Sequence, residues 1–245
     1  MKFMFKLAAT AMLTLSFTGF AKELTLTTDK GFALKTDFYQ SEQASQRAVL
    51  MLHQCNYNRS MYDNIGQQLA KHGIHALSLD FRGFGESVNS EFNVEKLRQL
   101  PQEERRKAWP IMAANWPSDV QLAYDYLHDK IGDNGVVGVI GASCGGTQAI
   151  TLAENNPIKV ISFFSSGQRE ANIKRYQEAL ANKPTLIIAA EEDGNTYTSA
   201  QALFKTAKHD KSQFISYKGN DHGYPLLDKD KHLATNIVSW FNNQL

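Results

Sequence analysis

Residues 136–150 run Val136-Val137-Gly138-Val139-Ile140, then Gly141-Ala142-Ser143-Cys144-Gly145, then Gly146-Thr147-Gln148-Ala149-Ile150. The first five predict a buried strand and the last five suit a helix. Between them lies a G-x-S-x-G pattern. Five letters alone say little. Set between a strand and a helix, they describe a turn so tight that the residues two before and two after the serine carry almost no side chain. Such a turn lifts the hydroxyl to a helix N-terminus, where negative charge developing on attack is favoured. A glycine-rich turn with a capping serine is the plainer reading of this segment taken alone.

The rest of the chain favours the chemical reading. A serine hydroxyl is a weak nucleophile at neutral pH and needs a histidine base, itself oriented by an acid. Downstream, Pro184–Ala190 has a buried-strand pattern and runs into Glu191-Glu192-Asp193-Gly194. Gln213–Tyr217 reads as a further strand, followed by Lys218-Gly219-Asn220-Asp221-His222-Gly223. Serine, acid and histidine thus each follow a predicted strand, in that chain order. A parallel sheet gathers such loops at one edge. Cys144 is a competing nucleophile, but with cysteine at the apex Gly141 would have no purpose. Glu191 and Glu192 compete with Asp193 for the acid role.

On these residues the chain resembles the α/β-hydrolase superfamily, in particular its small serine esterases and dienelactone-hydrolase-like members. Leu50-Met51-Leu52-His53-Gln54-Cys55 looks like the strand and His-Gly that precede the family's oxyanion loop. Leu79-Asp80-Phe81-Arg82-Gly83-Phe84-Gly85-Glu86-Ser87 is similar to its D-x-R-G-x-G-x-S turn. The resemblance implies Ser143 as nucleophile, His222 as general base, Asp193 as its orienting acid, and the backbone N–H groups of Cys55 and Cys144 as oxyanion donors. It also implies that His53 braces the oxyanion loop. Gln54 departs from the usual glycine, and Cys144 stands where a larger side chain is more common.

The resemblance also bears on the two cysteines. Two amides that grip one oxygen lie within about 6 Å of each other, a separation a disulfide accepts. In an oxidising compartment such a pair tends to bond. A disulfide and two separate thiols lining the pocket are both open.

Composition sets the frame. At 245 residues, 42% hydrophobic and 21% charged, the chain suits one globular domain. A net charge of +1, with no basic block, gives no indication of nucleic acid binding. Residues 1–21 have the features of a signal peptide: Lys2 and Lys6, an apolar run from Leu7 to Phe17, and small residues near Ala21. The run is too short to span a membrane, and no cysteine follows it to carry a lipid anchor. Export to the periplasm or medium is expected. Metal-ligand and nucleotide-binding spacings are missing, so no metal or cofactor is implied.

Two strands joined at Asp29-Lys30-Gly31 open residues 22–245, and strands alternate with helices from residue 48. This predicts a single-domain α/β-hydrolase fold: a mostly parallel sheet of about eight strands with helices on both faces. Helices are expected over Arg59–Lys71, Ser118–Asp129, Arg169–Ala181, Thr198–Ala207 and Lys229–Asn242. Val88–Pro117 exceeds a simple connection. It forms either a small lid carrying Phe92, Trp109 and Trp116, or a helical excursion whose aromatics pack on the sheet. The expected activity is serine-dependent cleavage of small carboxylic esters. The alternatives are a peptidase or thioesterase on the same triad, and a silent binding protein on the same fold.

Overall fold

The computed structural model describes residues 21–245, so the signal-peptide reading of residues 1–21 falls outside them apart from Ala21. Its eight strands are β1 (Lys22–Thr27), β2 (Ala33–Tyr39), β3 (Arg47–Leu52), β4 (His75–Leu79), β5 (Val136–Ala142), β6 (Ile158–Phe164), β7 (Thr185–Ala190) and β8 (Gln213–Tyr217). They form one sheet in the order β1-β2-β4-β3-β5-β6-β7-β8. β2 is antiparallel to β1 and β4, while β4, β3, β5, β6, β7 and β8 run parallel. The expected architecture is found.

Parallel strands covered on both faces must be apolar on both, which is why β3, β5 and β7 are near-continuous hydrophobic runs. The two-residue period then divides them. Leu50, Leu52, Leu77, Leu79, Val137 and Val139 share one core with Val120, Ala123 and Leu127 of α4 (Trp116–Ile131). Val49, Met51, Ala76, Ile140 and Ala142 face the other core, with Ile65 and Leu69 of α1 (Asp63–Lys71) and Ile237 and Phe241 of α9 (Leu233–Gln244). The remaining helices are α2 (Val94–Gln99), α3 (Gln102–Ala113), α5 (Cys144–Asn155), α6 (Glu170–Ala179), α7 (Gly194–Thr206) and α8 (Tyr224–Lys229).

Three helices differ from the sequence expectation, α7 only in starting at Gly194, four residues before the expected Thr198. The one expected from Arg59 begins as a 3-10 turn at Arg59–Tyr62, where the Asn58 side chain accepts the Ser60 N–H, and becomes α1 only at Asp63. The one expected from Lys229 is split. α8 ends at Lys229, and Asp230 accepts the His232 N–H (2.8 Å) and the Tyr217 hydroxyl (2.8 Å) before α9 starts.

Within Val88–Pro117, α2 and α3 account for most of the chain, and Trp116 already belongs to α4. The aromatic side chains turn toward the sheet. Trp116 is buried, stacks on Phe81 at 5.2 Å and donates its indole N–H to the Arg82 carbonyl at 3.0 Å. Trp109 meets Phe84 and Trp116 edge-on. Phe92 and Phe32 both lie against the Arg82 guanidinium, which grips the buried Asp119 carboxylate through two nitrogens. That clamp holds the turn after β4 in place.

Candidate active site

Ser143 sits between β5 and α5 with φ 49° and ψ −116°, a conformation that costs a non-glycine residue about 1–3 kcal/mol. Close packing enforces it. A Cβ on Gly141 would overlap the Gly145 carbonyl, and one on Gly145 would overlap the Leu52 carbonyl. These are the two small positions that the motif demands. The Ser143 N–H donates to the Phe164 carbonyl (3.0 Å), and its own carbonyl accepts the Gly146 N–H (3.1 Å) and the Ser166 hydroxyl (2.6 Å). Gln168 Nε2 donates in turn to Ser166 Oγ at 2.7 Å. Sequence reasoning missed Ser166 and Gln168. Their signal was a polar Ser165-Ser166-Gly167-Gln168 run directly after a buried strand.

β7 and β8 are neighbours, so the loops after them meet. The Glu191 N–H donates to the Tyr217 carbonyl and the Glu192 N–H to the Gly219 carbonyl, lacing the acid loop to the histidine loop. Asp193 Oδ2 then accepts from His222 Nδ1 at 2.7 Å. Such a bond fixes the tautomer that leaves Nε2 able to accept a proton. The competing acids are engaged elsewhere or face solvent. Glu191 pairs with Lys218 and Ser216, which hold its carboxyl below the usual range, and Glu192 is exposed. Ser143 Oγ makes no hydrogen bond among the described residues, so the structure joins His222 to Asp193 but not to the serine. Contacts of that kind commonly tighten only as substrate binds.

Cys55 and Cys144 are joined by a disulfide, with Cα atoms 5.8 Å apart. Of the two arrangements left open above, the bonded one is present. Neither cysteine's backbone N–H has a hydrogen-bond partner among the described residues. Cys144 is also the first residue of α5, so its N–H carries the positive end of the helix dipole. His53 braces this loop from beneath. Its Nε2 accepts the Phe81 N–H (2.9 Å) and its Nδ1 donates to the Gln54 carbonyl (2.7 Å). Complete burial pushes its pKa down to about 4, so it is neutral and no candidate base at neutral pH.

Beside Cys55 a cleft of about 400 Å³ opens between the loop after β3 and the α2 segment, lined by Asn56, Tyr57, Phe84, Val88, Val94 and Arg98. Arg98 reaches over it to donate to the Cys55 carbonyl (3.1 Å). Among the described residues no His/Cys/Asp/Glu group of metal-binding size is found, and no helix is long and apolar enough to cross a membrane.

Comparison with known proteins gives the same architecture. A family model described as the dienelactone hydrolase family matches residues 34–238. A cold-adapted esterase from an Arctic intertidal metagenomic library superposes with a TM-score of 0.72 at 17% identity, covering 98% of this chain and 100% of that one. An esterase of Pyrococcus furiosus gives 0.68 at 16% identity, over 96% and 97% of the two chains. The dienelactone hydrolase of Anabaena variabilis gives 0.64 at 16% identity, over 91% and 96%. At these identities the structural likeness speaks for the fold. No curated protein sequence matches the chain.

Proposed function

The chain belongs to the dienelactone hydrolase family, and on that premise we propose that it is an exported serine hydrolase of small carboxylic esters. Family membership supports ester hydrolysis, and the esterases among its structural neighbours agree with it. The serine mechanism rests on one observation above all: the 2.7 Å contact between Asp193 Oδ2 and His222 Nδ1, on loops that share a sheet edge with the strained Ser143 turn.

In this reading Ser143 Oγ attacks the ester carbonyl carbon as its proton passes to His222 Nε2. The carbonyl oxygen becomes an oxyanion held by the N–H groups of Cys55 and Cys144, each such donor contributing on the order of 3 kcal/mol to the transition state. The intermediate collapses with cleavage of the carbon–oxygen bond, and the departing alcohol takes the proton from His222. Water then hydrolyses the acyl-serine by the same route. The Asp193 carboxylate stabilises the imidazolium. The disulfide supports export, because such bonds persist in oxidising compartments.

Fluorophosphonate labelling, with hydrolysis of p-nitrophenyl esters of rising chain length, tests this reading. Labelling and turnover that Ser143→Ala abolishes are expected. A folded wild-type protein that neither labels nor turns over would be a binding protein on this fold.

A further inference from the structure

We propose that Gln54 is a positioning residue for this hydrolysis: its side chain draws the histidine loop across the sheet edge and holds His222 in register with Ser143. The inference rests on the Ser143–His222–Asp193 reading. His222 follows β8, Ser143 follows β5 three strands away, and Cys55 follows β3 one strand beyond that. At about 4.8 Å per strand, the histidine and nucleophile loops are rooted about 14 Å apart, and the histidine and Cys55 loops about 19 Å apart. Asp193 follows β7, the neighbour of β8 on the Ser143 side, so it carries the imidazole across only one of the three strand spacings that separate the two loops. The loop needs an anchor on the far side.

Gln54 provides it. The side chain is buried, with only 1% of the residue exposed. Its Oε1 accepts the Tyr224 N–H at 2.7 Å, and its Nε2 donates to Asn56 Oδ1 at 2.5 Å. Gly223 (φ 70°) passes so close that a Cβ there would overlap Gln54 Oε1. The Tyr224 ring stacks on Tyr57 of the oxyanion loop at 4.2 Å, closing the same junction from outside. On its other side Gln54 adjoins Cys55, which is bonded to Cys144, the residue after Ser143. A path therefore runs from Ser143 through Cys144, Cys55 and Gln54 to Tyr224 and His222. Its one non-covalent step is the Gln54–Tyr224 hydrogen bond.

Gln54→Met keeps the length of the side chain and removes the acceptor. It is assayed on p-nitrophenyl acetate beside wild type and Ser143→Ala, with melting temperature as the folding control. The expected result is a fall in kcat of about tenfold to a hundredfold with KM within about twofold, because alignment of reacting groups is lost and not binding. The fluorophosphonate labelling rate should fall by the same factor. Gly223→Ala displaces the same loop and serves where the Met variant unfolds. Combined with Gln54→Gly, its effect should be less than additive, since both act at one contact. An unchanged kcat, a rise confined to KM, or full additivity overturns the positioning role while an inactive Ser143→Ala leaves the triad standing. Activity retained in Ser143→Ala removes the triad and the role of Gln54 together.

Discussion

Cys55 and Cys144, 89 positions apart, are covalently joined, and neither backbone N–H has a hydrogen-bond partner among the described residues. One bond thus ties the loop after β3 to the head of α5. Closing a loop of that length restrains the unfolded chain by about 4.6 kcal/mol in the entropy model. The Cys55→Ala/Cys144→Ala protein should lose about 3–5 kcal/mol of unfolding free energy in urea, along with much of its kcat. A change below about 1 kcal/mol would mean the two loops are held as well without the bond.

Asp193→Asn keeps the size of the side chain at the 2.7 Å contact but presents an amide to His222 Nδ1. Either tautomer is then poorly served, and the imidazolium loses its counter-charge. A fall in kcat of about 10,000-fold is expected, with the fold intact by circular dichroism. Glu191→Gln should leave the rate within about twofold, because that carboxylate is paired with Lys218 at the surface. The opposite ranking of the two variants would move the acid role to Glu191.

The strands, their order along the chain and the tight Gly141–Gly145 turn were legible because they depend on local pattern. A β-branched run before a glycine-serine turn can be read in fifteen residues. The meeting of Asp193 and His222 was legible because each directly follows a predicted strand. Contacts between distant segments were not. Gln54 read only as a glycine replaced, since its partner Tyr224 lies 170 residues away. Arg59 read as a helix start, yet it binds the buried Asp80 carboxylate and also pairs with Asp37, Glu23 and Glu86. The split between α8 and α9 follows from an Asp230–Tyr217 hydrogen bond that the helical periodicity of the segment does not record.

Trp116 is buried against Phe81 and Phe84 with its N–H on the Arg82 carbonyl, and so faces the core. Trp116→Ala should destabilise the protein by about 3–5 kcal/mol, as large aromatic truncations in packed cores do. The ratio of kcat/KM for long and short p-nitrophenyl esters should stay within about twofold of wild type. A selective loss with long-chain esters would instead make this side chain part of the acyl wall.

His53 gives the protein a pH dependence of stability whose sign follows from its burial. The ring lies wholly buried against Phe81 and Phe84, where desolvation disfavours the charged form and pushes its pKa from 6.5 down to about 4. Its Nε2 already accepts the Phe81 N–H, so a proton there would break that bond. Between about pH 6.5 and 4 the unfolded chain takes up a proton that the folded chain refuses. The stability contributed by neutral His53 is therefore complete above pH 6.5 and lost as the pH falls toward 4. A shift of this size corresponds to about 3 kcal/mol. His53→Gln keeps an acceptor for the Phe81 N–H and does not titrate. Urea unfolding at pH 7 and pH 4 should show wild type losing about 3 kcal/mol more than the variant over that interval. Equal losses in the two proteins would mean that His53 takes up its proton without cost to the fold, and that its burial is less complete in solution.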